Sequence, residues 1–75
     1  MTVFVNPGER FYISYVSSGT EIQFAIPDIT AQTGDVSLFI NGLAEAPVES
    51  YTVHAGLLSL TKGPVPAGFV LEIRS

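Results

Sequence analysis

Apolar and polar residues alternate with period two in short runs along this chain, and glycine, proline and asparagine break the runs at nearly even spacing. The clearest block covers residues 35–74. There Val36, Leu38 and Ile40 alternate with Ser37, Phe39 and Asn41. Asn41-Gly42 stops that run with a dipeptide that tolerates positive φ. Tyr51 and Val53 begin a second run, which His54-Ala55-Gly56 turns back into residues 57–61. Gly63-Pro64 and Pro66-Ala67-Gly68 make the next break. Phe69, Leu71 and Ile73 then close the chain on one face, against Val70, Glu72 and Arg74 on the other.

The residues upstream read as strands added to this block. Residues 3–6 form a short extended piece, ended by Asn6-Pro7-Gly8 and suited to an exposed sheet edge. In residues 9–16, Phe11, Ile13 and Tyr15 share one face, and Arg10, Tyr12, Ser14 and Val16 share the other. After Ser17-Ser18-Gly19-Thr20, residues 21–26 place Ile22, Phe24 and Ile26 inward and Glu21, Gln23 and Ala25 outward. Two such runs joined by a short glycine-containing turn predict an antiparallel hairpin. Pro27-Asp28 ends the second run, and residues 29–34 read as a loop with one or two apolar anchors. Residues 42–50 look too long for a tight hairpin turn, and Pro47 disfavours a helix there. No stretch repeats apolar residues at i, i+3, i+4 and i+7 for three turns. The expected fold is all-β: a small antiparallel sandwich or barrel-like domain of about six strands. It forms one domain over residues 1–75, with N-terminal strands in 1–34 and the main block in 35–75.

Composition sharpens this picture. The chain is 47% hydrophobic and 13% charged, which is too apolar for disorder and unusually apolar for a small monomer. It has no cysteine and one histidine, so disulfides and thiolate-zinc sites are excluded and a structural metal is not expected. Oligomerisation remains as the source of extra burial. A net charge of −4 with only Arg10, Lys62 and Arg74 as cations argues against nucleic-acid binding. The N-terminus lacks the pattern of a signal peptide, and no apolar run approaches the roughly 20 residues that span a bilayer.

Candidate chemistry is sparse. His54 falls beside Ala55-Gly56 at a hairpin tip, where an exposed turn histidine is the simpler reading than a general base. No nucleophile elbow is present. Asp28 and Asp35 flank one loop, while Glu45 and Glu49 lie in another, but no calcium-loop spacing joins them. The glycines follow or precede strands and open onto no helix. No catalytic residue, cofactor or metal is expected. Most aromatics take inward positions. Tyr12 and Phe39 are exceptions, and with Val16, Leu57 and Val70 they give the sheet a second apolar face. That face is either an exposed patch that demands a partner or the inner side of a two-sided core.

Within residues 36–74, Phe39-Ile40-Asn41-Gly42, Tyr51-Thr52-Val53, Leu58-Ser59-Leu60-Thr61, Pro66-Ala67-Gly68 and Val70-Leu71-Glu72-Ile73-Arg74 succeed one another. This succession resembles a β module recurrent in tailed-bacteriophage virion proteins, especially tail fibres and related appendages. The module often has Asp before the tyrosine and after the last glycine, where this chain has Ser50 and Phe69. The resemblance implies a virion structural role, usually as a trimer, without catalysis, and it carries over no ligand-binding residue. A chain that starts with Met and ends on its last strand suggests a free-standing capsid decoration (cement) protein or fibre-base protein. The expected partners are further copies in a homotrimer and a phage capsid or tail protein, in the virion, with no nucleic acid and no membrane. Tyr12, Phe39, Leu57 and Val70 are the expected interface residues. The alternative is a carbohydrate-binding β module using Tyr12, Tyr15 or His54.

Overall fold

The structure is a computed structural model that describes residues 2–4 and 11–75. The expected Asn6-Pro7-Gly8 turn, the later part of the 3–6 edge and the start of the 9–16 strand lie outside the described residues. Eight strands are present among the described residues: β1 (Thr2–Phe4), β2 (Tyr12–Val16), β3 (Gln23–Ala25), β4 (Ser37–Ile40), β5 (Leu43–Ala44), β6 (Tyr51–His54), β7 (Leu57–Leu60) and β8 (Val70–Arg74). A 3-10 turn at Thr33–Asp35 is the one helical element among them. The fold is the expected all-β, antiparallel, sandwich-like arrangement. One sheet has the order β1-β2-β8-β4-β5 and the other β3-β7-β6.

Alternation explains the core. Phe11 and Ile13 from the β2 segment, Leu38 from β4, and Leu71 and Ile73 from β8 are buried on the inner side of the larger sheet. Phe24, Tyr51, Val53, Leu58 and Leu60 meet them from the smaller one. Removing these side chains from water is the main favourable term in folding. Ala31 is the single deep anchor of the 29–34 loop, whereas Ile29 is exposed.

Two turns are built as their residues predict. Asn41 (φ 51°) and Gly42 (φ 82°) join β4 to β5, and Ala55 (φ 51°) with Gly56 (φ 80°) joins β6 to β7. Positive φ at both central positions gives turns whose twist matches that of the strands. The first of these corrects an expectation: residues 42–50 begin with a tight hairpin, because two residues after the turn already pair back onto β4.

The predicted hairpin between residues 9–16 and 21–26 does not form. β2 is flanked by β1 and β8, so neither side of it is open to β3. β3 instead pairs with β7 in the other sheet. The crossing is fixed by Ser17, which is buried: its N–H donates to Phe69 O at 2.8 Å and its hydroxyl to Val65 O at 2.7 Å. Gly19 (φ 92°) then turns against Ala67, where an added Cβ would lie 3.3 Å from the Ala67 side chain. Ile22, expected inward, is 49% exposed. It lies just before β3, where its carbonyl accepts the Leu60 N–H at 2.8 Å and extends the β3–β7 ladder, but its side chain is outside the buried core cluster.

Both edges of the smaller sheet are tied to the larger one. The Tyr15 hydroxyl donates to Ala25 O on β3 at 2.8 Å, and the Tyr15 and Phe24 rings lie 4.9 Å apart. On the other side, the Tyr51 hydroxyl donates to Val36 O at 2.6 Å, and Val53 N–H donates to Thr33 Oγ1 at 2.9 Å. These bonds blunt edge strands that would otherwise present unpaired backbone groups.

Candidate interaction surface

The outer side of the larger sheet carries three of the four expected interface residues. Register places Tyr12, Arg74 and Ser37 in one row and Ser14, Glu72, Phe39 and Ala44 in the next, with Val16 opposite Val70. The side chains then interlock along diagonals. The Tyr12 hydroxyl donates to Glu72 Oε2. The Arg74 guanidinium stands 4.8 Å from the centre of the Phe39 ring, a cation–π contact favoured by the negative ring face. The Glu72 hydrogen bond, then burial and the Glu72 charge, raise the Tyr12 phenol above its ordinary range, and Arg74 opposes them. Tyr12 and Phe39 are therefore half-buried among charged neighbours. Glu72 and Arg74 thus interrupt the expected apolar patch, and among its expected members on this side Val16 alone is exposed.

Leu57 is not on that face. It belongs to β7 of the other sheet, with Ala25 and His54 as its Cα partners, and points outward there. The reason is a matter of assembly: alternation separates the two sides of one strand but does not say which sheet the strand joins.

Tyr12, Tyr15 and His54 are not brought together either. Tyr12 lies on the outer side of the larger sheet, Tyr15 bridges to the β3 edge, and His54 ends β6, exposed, beside the turn to β7. The loop carboxylates serve their own loops. Asp28 Oδ1 accepts from the Thr30 N–H at 2.9 Å and from its hydroxyl at 2.6 Å. Asp35 Oδ2 accepts from the Gln32 N–H at 3.0 Å. These are local side-chain turns of a common kind. Among the described residues, no group of three or more His, Cys, Asp or Glu is placed to hold a metal ion.

One concave feature among the described residues is not disclosed by the sequence. A groove of about 300 Å³ opens at the end of the sandwich, where Ile40 of β4 and Leu60 of β7 meet the 63–66 loop. Pro64, Val65, Pro66 and Phe69 make its other wall, and Glu45, Ser50 and Lys62 its polar rim. Phe69, expected inward with Leu71 and Ile73, is 38% exposed because it precedes β8 and reaches this groove rather than the core. Leu43 stands beside it: it is the Cα partner of Ile40, on the same side of the sheet, and 71% exposed. The two prolines and Gly63 were legible as a turn. That the turn would wall a groove depends on the distant pairing of β8 with β4.

Comparison with protein families, curated proteins and solved structures finds no match to this chain.

Proposed function

We propose that this chain is a non-enzymatic structural protein of a tailed-phage virion, a capsid decoration or fibre-base protein that acts through protein–protein contacts. The observation that carries the proposal is the exposed apolar inventory. Val16, Ile22, Ile29, Leu43, Val48, Leu57 and Phe69 are exposed on a chain that is only 13% charged. Large exposed apolar side chains suit contact with other proteins where they cluster, as Leu43 and Phe69 do on either side of Ile40 at the groove. The Tyr51-Thr52-Val53, Leu58-Ser59-Leu60-Thr61 and Pro66-Ala67-Gly68 succession, which resembles the phage module, supports placing those contacts in a virion. Bound only to the assembled lattice, such a subunit stabilises the lattice by its binding free energy.

The test is made on particles. Virions are purified by density gradient from cells that produce the chain, and the chain is quantified against the major capsid protein by mass spectrometry. A structural protein co-migrates with particles at a fixed ratio, and its loss lowers the temperature at which heads release DNA. A chain that stays wholly in the soluble fraction overturns the proposal. If it is then retained on a glycan array, the carbohydrate-binding reading takes its place.

A further inference from the structure

We propose that the groove at the end of the sandwich is a self-association site that receives Leu43 from a second copy of this chain. Leu43 is a large apolar side chain, 71% exposed, at the free edge of the larger sheet. The groove beside it has an apolar floor and wall of Ile40, Leu60, Val65 and Phe69. An exposed knob next to an open apolar recess is what a pair of identical surfaces needs in order to bury one another.

Charge selects the second copy over other occupants. Glu45 and Lys62 both lie on the groove, and neither takes part in an ion pair among the described residues. Leu43 and Glu45 are two apart and share one side of the β5 segment, whose pairing with β4 continues through the Glu45 N–H to Leu38 O bond. A Leu43 side chain seated in a neighbour's groove therefore brings its own Glu45 towards the neighbour's Lys62. The surface supplies the apolar knob, the recess and both signs of charge. Steered contacts of this type set register and partner choice. The area bears on strength. A standard interface buries about 800 Å² on each partner, nearly a fifth of the 4410 Å² surface. A groove of about 300 Å³ that receives one leucine is a smaller contact than that, so the association is weak in free solution.

This inference deepens the assembly reading, and the two fail separately: particle incorporation tests the virion role, and mass in free solution tests the groove. The experiment is sedimentation velocity on the full chain from micromolar to millimolar concentration. The wild-type mass rises with concentration, and Leu43→Glu abolishes the rise. Glu45→Lys and Lys62→Glu each weaken association about tenfold, and the double variant restores it because the pair is rebuilt across the interface with its signs exchanged. Unfolding midpoints confirm that the variants fold, as expected for side chains on the surface. Three results overturn the inference. The wild type stays a monomer throughout, association is indifferent to Leu43→Glu, or the double charge exchange is no better than the single ones.

Discussion

Tyr51→Phe is the sharpest probe of how the two sheets are joined. The Tyr51 side chain is 1% exposed, and its hydroxyl donates to Val36 O at 2.6 Å. Val36 needs that donor. The β4–β5 ladder reaches the Glu45 N–H to Leu38 O bond, and two residues further the same register would set Pro47 opposite Val36. Proline has no N–H to give. The Tyr51 hydroxyl supplies the missing donor from the other sheet. Phenylalanine keeps the ring packing and leaves Val36 O buried without it. An unsatisfied buried group costs about 1–3 kcal/mol, and we expect about 1.5–2 kcal/mol here because the ring still excludes water. For a domain of this size that is a fall of about 6–16 °C in Tm. Urea denaturation followed by tyrosine fluorescence and circular dichroism measures it, with an unchanged m-value expected. Tyr12→Phe is the control, since its hydroxyl bonds Glu72 on the outer side of the sheet and its loss costs under about 1 kcal/mol. Equal effects of the two variants, or a loss at Tyr51 below about 0.5 kcal/mol, would refute the reasoning.

Val48 holds φ at 71°, unusual for a β-branched residue, on an exposed site; Val48→Asn should raise stability by about 0.5–1 kcal/mol, read as a higher urea midpoint. Ala55 occupies the position that Asn41 fills in the other tight hairpin, so Ala55→Asn should raise Tm with no change in association. Gly42→Ala should cost about 1 kcal/mol from backbone strain alone, because φ is 82° and an added Cβ meets nothing within 4 Å. Burial raises the Tyr51 phenol above its ordinary value of 10.0, with the Leu38 backbone opposing. The raised folded value means that this contribution is present below the unfolded pKa and is lost as pH rises through the folded one. Stability should therefore fall above pH 10.0, and less steeply in Tyr51→Phe, as equilibrium denaturation across alkaline pH would show. Glu21 runs the other way. Hydrogen bonds from the Ser18 hydroxyl and N–H lower its carboxyl, so its contribution is present above the unfolded value of 4.5 and is lost as pH falls through the folded one. Glu21→Gln should flatten that acid limb.

What the sequence determined by itself is local. Period-two alternation marks Ile13, Leu38, Leu71 and Ile73 as inward, because successive side chains of a strand point to opposite sides whatever the strand pairs with. Asn41-Gly42 and Ala55-Gly56 mark their turns because positive φ is a property of the residues in the turn. The tertiary structure decided which strands meet. Residues 12–16 and 23–25 carry the pattern of a hairpin, yet β8 and β1 occupy both sides of β2, and β3 goes to β7. Leu57 and Tyr12 carry equivalent outward signals and end on different sheets. The groove follows the same rule. Glu45, Lys62 and Phe69 become neighbours only after β4 pairs with β8, with β5, β6 and β7 lying between them in the chain. A backbone edge offers the same donors and acceptors to every strand, so pairing is chosen by the packing of the whole core rather than by any segment's own pattern.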